Sequence, residues 1–184
     1  KMLYLTQLIG QTPDRYGGYG FGNISRRLLP LDATLGQRPF VISGTQTGNE
    51  TDLQPQHYAV VRAYNAARNL IVGEGPIRPS SESLTHGMIY DMDANIQWVM
   101  HAHSPDIWRH ARALGIPMTD ERVAYGTPAM ADEVERLFAE TDVSDRCIFG
   151  MAGHEDGIVS FGSSAKAARS VMLLALAAAF QMRE

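Results

Sequence analysis

One stretch, IQWVMHAHSP at residues 96–105, constrains the fold of this chain more than any other. Its apolar start predicts a buried strand, and Pro105 ends it because proline cannot donate to a central ladder. Successive side chains of a strand point to opposite faces, so His101 and His103 should share one face with their Cα atoms about 6.6 Å apart. Both rings could then bind one metal ion at nitrogen–metal distances of about 2.0–2.1 Å. Because the chain has six histidines, two of them can also fall at this spacing by chance. A structural role for His101 and His103, without a metal, therefore stays open as the alternative.

Composition narrows the class of protein. With 184 residues, 45% of them hydrophobic, the chain fits one domain over residues 1–184 with a sizeable core. The net charge of −4 offers no basic surface for a nucleic acid. The longest apolar run, Val171 to Phe180, is about half of the roughly 20 residues needed to span a bilayer, so no membrane segment is expected. The single Cys147 excludes an internal disulfide and fits a reduced, cytoplasmic protein.

Hydrophobic periodicity predicts strands interleaved with helices. Strands are expected over residues 40–42, 58–64, 69–74, 146–151 and 158–162, the second and third of them forming a hairpin. Helices are expected over residues 82–90, 106–114, 129–141 and about 165–182. Ser163 or Ser164 should cap the last helix. That helix is apolar over much of its circumference and should lie between the sheet and other helices or subunits.

Two loops rich in glycine are candidate ligand-binding loops. Residues 17–27 (GGYGFGNISRR) place glycines, which let the backbone approach a ligand closely, ahead of a strand-like segment. Residues 43–48 (SGTQTG) follow a predicted strand and offer amides and hydroxyls to an oxyanion. Ordinary turns have the same composition, so both readings stay open.

The segment from Pro79 to Glu82 (PSSE) leads into the helix predicted over residues 82–90. Ser80 or Ser81 can cap this helix, and Glu82 in its first turn is favoured by the helix dipole. Amide groups at a helix start also suit a phosphate. Glu82 is therefore either an acid favoured at a helix start or a catalytic carboxylate.

A third histidine, His154, lies in a glycine-bounded turn between two predicted strands. Three histidine ligands with an open position are typical of a catalytic zinc site. Neutral imidazoles suit Zn²⁺ and other divalent transition metals better than calcium or magnesium, which prefer oxygen ligands.

Together these pieces resemble the class II aldolase/adducin family. The matching pieces are GNIS at residues 22–25, Thr47-Gly48, PSSE at 79–82 with His86 four residues on, HAH at 101–103, and His154 before Gly157-Ile158-Val159. The resemblance implies an α/β fold, a three-layer α/β/α sandwich with a central mixed, largely antiparallel sheet, assembled as a homotetramer with sites at subunit interfaces. It implies Zn²⁺ or another divalent transition metal held by His101, His103 and His154, with Glu82 as the acid/base residue. It also implies that a substrate phosphate is bound by Asn23, Thr47, Gly48, Ser80 and Ser81.

On this resemblance, the expected activity is reversible aldol cleavage of a small phosphorylated ketose. A metal would stabilise the enediolate as a Lewis acid, and Glu82, with a pKa raised toward neutrality by burial, would move the proton. A sugar-phosphate 4-epimerase or dehydratase would use the same site. A non-catalytic scaffold domain, as in the adducin branch, is the alternative from another class.

The chain departs from the family pattern in three places. Glu155 and Asp156 separate His154 from the glycine that usually follows at once, and the loop over residues 43–50 is longer than the family's turn. The tyrosine that some members supply across the subunit interface has its nearest counterpart in Tyr125. These departures leave the metal ligands in place and leave the substrate open.

Overall fold

The computed structural model describes residues 1–182, so the last two residues of the predicted domain lie outside the described part. Its strands are β1 (Asn23–Arg27), β2 (Phe40–Ser43), β3 (Tyr58–Asn65), β4 (Leu70–Glu74), β5 (Trp98–His103), β6 (Ile148–Gly150) and β7 (Gly157–Gly162). Its α-helices are α1 (Met2–Leu5), α2 (Ser83–Met92), α3 (Pro105–His110), α4 (Pro128–Glu140), α5 (Val143–Arg146) and α6 (Ala165–Gln181). Within residues 1–182, no helix combines the length and apolar character that crossing a membrane requires.

All seven strands form one sheet in the order β4-β3-β2-β1-β5-β7-β6. Every neighbouring pair is antiparallel, and the one parallel pairing in the described chain is an isolated bridge between Met118 and Gly150. The predicted hairpin is present as β3 and β4, paired from Asn65 with Leu70 onward. The predicted α/β class with a largely antiparallel central sheet is confirmed.

The two faces of the sheet bury two separate cores. Successive residues of β5 contribute to opposite cores: Val99 packs with α2 and α4, whereas Met100 packs with α3 and α6. The same alternation separates Val159 from its neighbour Ile158 in β7. Helices therefore cover both faces, which gives the three layers predicted from the resemblance.

This alternation decides where the functional side chains lie. His101 and His103 lie two and four residues after Val99 in β5, so their side chains point to the same face of the sheet, the face covered by α2. Glu82 lies immediately before α2, on the same side of the sheet. The β6–β7 turn lies beside the end of β5, because His103 pairs with Gly157.

The start of α2 differs from the prediction. The helix begins at Ser83 with Glu82 in the N-cap position, and no side chain caps it. The predicted cap by Ser80 or Ser81 is wrong because the chain makes a turn here first: the Ser83 amide donates to the Ser80 carbonyl at 3.1 Å. The predicted cap of the last helix is confirmed, since Ser164 Oγ accepts from the Ala167 amide at 3.1 Å.

Candidate metal centre

Three histidines from two distant parts of the sequence converge at one end of the sheet. One nitrogen atom from each of His101, His103 and His154 lies within 4.8 Å of the others. The ring centroids are 4.8 Å apart for His101 and His103, 4.7 Å for His103 and His154, and 5.3 Å for His101 and His154. His101 and His103 are buried, and His154 is partly exposed. Three rings at these distances can bind a single ion.

A tight turn brings the third histidine to this place. The His154 amide donates to the Met151 carbonyl at 3.1 Å, and the Gly157 amide donates back to the His154 carbonyl at 2.9 Å. A Cβ atom on Gly157 would lie 2.7 Å from Cδ2 of the His154 ring, which is too close for any other residue without a shift. Glycine at position 157 therefore leaves space for the imidazole beside β5.

Glu82 lies against two of the three imidazoles. Its Oε2 atom is 3.1 Å from His101 Nε2, and its Oε1 atom is 3.3 Å from His154 Nε2. Oε2 also accepts a hydrogen bond from Asn23 Nδ2 at 2.8 Å. Asn23 is the cross-strand partner of His101, so the pairing of β1 with β5 places the amide beside the carboxylate. Local sequence left the role of Glu82 open, and the structure places it at the histidine cluster.

The electrostatics of the cluster differ from the sequence-based expectation. Burial raises the pKa of Glu82, but interactions with His101 and His154 and the hydrogen bond from Asn23 outweigh burial and hold that pKa well below its usual range. The expected pKa raised toward neutrality is wrong because it considered burial alone. Burial lowers the pKa of His101 to about 4 and that of His103 to about 2. At pH 7 these two imidazoles are therefore neutral and the carboxylate is ionised.

The donor set fits a divalent transition metal. Ligating imidazoles must be neutral, and the low pKa values of His101 and His103 meet that condition. The Nδ1 atom of His103 is buried without a hydrogen-bond partner within residues 1–182, and such an atom is costly unless something binds it. Three imidazole nitrogen donors beside one carboxylate suit zinc better than calcium or magnesium.

The residues that the sequence singled out line one cavity of about 350 Å³. All nine are present: Asn23, Thr47, Gly48, Ser80, Ser81, Glu82, His101, His103 and His154. In the described part of the chain no lysine or arginine lines this cavity. An anionic substrate would therefore meet neutral donors and, when present, the metal.

Some of the expected phosphate donors are directed elsewhere. Asn23 Nδ2 donates to Ser80 Oγ at 2.9 Å as well as to Glu82, and Thr47 Oγ1 donates to the Gly44 carbonyl at 3.0 Å. The Oδ1 atom of Asn23 is buried without a partner within residues 1–182. In this arrangement Asn23 holds the carboxylate of Glu82 rather than offering a free donor to the cavity.

Close backbone contact explains the glycines of the two loops. A Cβ atom on Gly48 would lie 2.1 Å from the Gly10 carbonyl oxygen, and one on Gly20 would lie 3.1 Å from the Gly48 nitrogen. The Gly20 amide donates to Gln46 Oε1 at 2.9 Å and joins the loops further. The two loops form one wall of the cavity. Their composition alone did not decide between ligand-binding loops and ordinary turns.

Sequence reasoning noted Asp156 only as part of the longer turn after His154, and it missed Tyr16 and the contact between the two residues. The Tyr16 hydroxyl donates to Asp156 Oδ2 at 2.7 Å, and the edge of the Tyr16 ring packs against His103 with centroids 4.5 Å apart. Burial raises the pKa of Tyr16 to about 12, so its hydroxyl stays a donor at neutral pH. Tyr125, noted from the sequence, packs on His154 of the same chain at 4.1 Å. A tyrosine and an aspartate 140 positions apart carry no motif that could reveal their contact.

A family model for the class II aldolase and adducin N-terminal domain matches residues 14–182. The chain belongs to this family. Class II aldolases are metal-dependent, and the cluster of His101, His103 and His154 could hold a metal ion. No curated protein sequence matches the chain.

Solved structures of class II aldolases share the fold. L-fuculose-1-phosphate aldolase from Thermus thermophilus is 19% identical with a TM-score of 0.66, and the match covers 98% of this chain and 87% of that one. YgbL from Escherichia coli, described as a candidate aldolase, epimerase or decarboxylase, is 18% identical with a TM-score of 0.67 and coverages of 98% and 83%. A sugar-phosphate aldolase from Thermotoga maritima is 16% identical with a TM-score of 0.66 and coverages of 99% and 89%. At these identities the likeness concerns the fold alone.

Proposed function

We propose that this class II aldolase family member is a metal-dependent lyase that catalyses reversible aldol cleavage of a small phosphorylated ketose. One observation carries the proposal: three imidazoles and the carboxylate of Glu82 meet in a cavity of about 350 Å³. A cavity of this size suits a small ligand. Two of the similar structures are named as sugar-phosphate aldolases, which supports the substrate class.

The metal and the carboxylate divide the chemistry. His101, His103 and His154 would hold a divalent ion, with Zn²⁺ proposed first. When bound, such an ion supplies a Lewis acid for the oxygen atoms of the substrate. Glu82, ionised at neutral pH, removes the proton from the carbon beside the ketone in the synthetic direction. In the cleavage direction the carbinol hydroxyl gives up its proton as the carbon–carbon bond breaks, and Glu82, protonated at that stage, delivers one proton to the carbon released beside the ketone, so that no proton is gained or lost overall.

The remaining predicted residues would bind the phosphate. Gly48 and Ser81 line the same cavity as Glu82, and the first turn of α2 adds amide groups that favour an anion. Ser80 and Thr47 belong to the proposed set through their hydroxyl groups. Asn23 would take part chiefly by fixing Glu82, because both of its observed hydrogen bonds run inward.

The proposal is tested with a panel of phosphorylated ketoses and zinc-loaded protein, with the three-carbon ketone phosphate measured as product. Glu82→Gln should abolish turnover and leave the metal content unchanged, because glutamine keeps the shape and removes the base. Glu155→Gln is the matched control, since this exposed carboxylate also lies next to His154. Full activity of the Glu82→Gln protein would remove Glu82 from the mechanism.

Two other activities would leave different products. A 4-epimerase would invert one carbinol centre without changing the mass, and a dehydratase would release water. NMR of the same reactions separates both from cleavage. The description of YgbL as a candidate epimerase supports including the first activity, and the second is included because it would use the same site. The adducin-like scaffold reading is disfavoured because the chain keeps all three histidines and Glu82.

Three further features belong to the proposal. We expect residues 1–184 to form one domain, the chain to assemble as a homotetramer with sites at subunit interfaces, and the protein to be cytoplasmic. Light scattering of the purified protein tests the assembly, because a tetramer should have a mass of four times 20.2 kDa.

A further inference from the structure

Arg15, Tyr16 and Asp156 form a hydrogen-bonded cluster, here called the Tyr16 clamp, beside the three histidines. The Tyr16 hydroxyl donates to Asp156 Oδ2 at 2.7 Å and accepts from Arg15 Nη2 at 3.0 Å. The same Arg15 nitrogen donates to the backbone carbonyl of His103 at 3.3 Å. The clamp therefore joins the loop before β1, the end of β5 and the turn that carries His154.

The Asp156 end of the clamp fixes the metal-ligand turn. Asp156 lies two residues after His154, has a φ of +60° and is buried at 8% exposure. Aspartate tolerates this left-handed backbone better than most residues. Its carbonyl accepts from the Ser104 amide at 2.8 Å, so backbone and side chain both tie the turn to neighbouring segments. A turn held at both points has little freedom to move His154.

The Tyr16 end of the clamp fixes the other wall. The Tyr16 ring meets His103 edge-on with centroids 4.5 Å apart and meets Phe21 at 5.0 Å. The Arg15 guanidinium lies 4.2 Å from the centre of the Phe21 ring. One tyrosine thus contacts His103 through its ring and reaches the His154 turn through its hydroxyl.

We propose that Tyr16 and Asp156 are positioning residues, which hold His154 in register with His103 and thereby increase the affinity of the site for a divalent metal. The inference rests on the proposed function only in requiring that the three histidines bind a metal. Neither side chain is assigned a bond to the metal. Partners that orient ligating groups typically change metal affinity by about 10- to 100-fold when they are mutated.

The test is a titration of metal-free protein with Zn²⁺ in competition with a chromogenic chelator. Tyr16→Phe keeps the ring against His103 and removes the bond to Asp156, so the dissociation constant for Zn²⁺ should rise about tenfold. Tyr19→Phe is the matched control, because Tyr19 lines the same cavity and is 66% exposed. It should bind Zn²⁺ as the unmodified protein does.

Variants at Asp156 separate positioning from stability. Asp156→Asn keeps an acceptor oxygen and tolerates the positive φ, so it should bind Zn²⁺ nearly normally, whereas Asp156→Ala should bind as weakly as Tyr16→Phe. Because both single variants break the same bond, the double variant should be little weaker than either one. Cobalt-loaded Tyr16→Phe should also show an altered visible absorption spectrum, which a general loss of stability would not produce.

The outcomes distinguish the two proposals. If the unmodified protein binds no Zn²⁺, the proposed metal site fails and this inference fails with it. If the unmodified protein binds Zn²⁺ and Tyr16→Phe binds it equally well, the inference alone is overturned. Equal losses in Asp156→Asn and Asp156→Ala would also overturn it, because the acceptor oxygen would then have no role.

Discussion

Replacing His86 with glutamine should make folding less sensitive to acid. His86 is fully buried at 0% exposure, and its Nδ1 atom is 2.6 Å from Ser25 Oγ, which is 2.7 Å from the Tyr90 hydroxyl. Burial lowers the pKa of His86 from 6.5 to about 3. Below pH 6.5 the unfolded chain therefore binds a proton at this residue that the folded chain does not, and stability falls as the pH falls toward 3.

The size of the effect follows from that difference. Each pH unit in this window costs about 1.4 kcal/mol for one proton bound on unfolding. Between pH 6.5 and pH 5, His86 should therefore cost about 2 kcal/mol that glutamine does not. The substitution also loses the hydrogen bond to Ser25, worth about 1 kcal/mol at any pH. His86→Gln should thus be about 1 kcal/mol less stable than the unmodified protein at pH 8 and about 1 kcal/mol more stable at pH 5.

Urea unfolding at pH 8 and pH 5, with a chelator present to keep metal out, measures both values. Ser25→Ala is the control: it removes the hydrogen bond to His86, and with it the one to Tyr90, but keeps the imidazole, so its loss of stability relative to the unmodified protein should be similar at both pH values. If His86→Gln and the unmodified protein lose the same stability between pH 8 and pH 5, the assignment of a buried neutral imidazole is refuted.

Two substitutions test the packing around the site. Gly48→Ala should raise KM for a phosphorylated substrate several-fold, because the new Cβ would lie 2.1 Å from the Gly10 carbonyl oxygen and 2.9 Å from Gly20 Cα and would push the two loops apart; an unchanged KM in steady-state kinetics would argue against these contacts. Phe149→Ala should cost about 3–5 kcal/mol in urea unfolding, because this core side chain is 0% exposed. Leu174→Ala, at a position 71% exposed, should stay within about 0.5 kcal/mol, and equal losses in the two variants would contradict the assigned core.

The parts of the fold that the sequence predicts are those set by local periodicity. The two-residue spacing of His101 and His103 in a strand predicted that they share one face of the sheet. The glycines around residues 153–157 predicted that His154 lies in a turn between two strands. The face of the sheet that α2 covers could not be read from the same pattern. The prediction that Glu82 lies beside the histidines therefore came from the family resemblance rather than from the spacing of residues.

The parts that the sequence did not predict depend on contacts between distant segments. The pKa of Glu82 is set by His101, His154 and Asn23, and an expectation based on burial alone gave the wrong direction. The predicted serine cap of α2 was wrong because a turn precedes the helix. The bond between Tyr16 and Asp156 spans 140 positions, and neither residue stands in a recognisable motif.

Metal content per chain is the most direct test of the whole account. Purified protein equilibrated with Zn²⁺ and freed of excess should hold one zinc ion per chain, measured by inductively coupled plasma mass spectrometry. His154→Ala should lose most of it, whereas His57→Ala, which replaces a histidine bonded to the Gln54 amide outside the cluster, should keep it. A single bound zinc that His154→Ala removes is the result we predict. Unmodified protein without bound zinc, or His154→Ala protein with undiminished zinc, would contradict the claim that three histidines hold one metal beside Glu82.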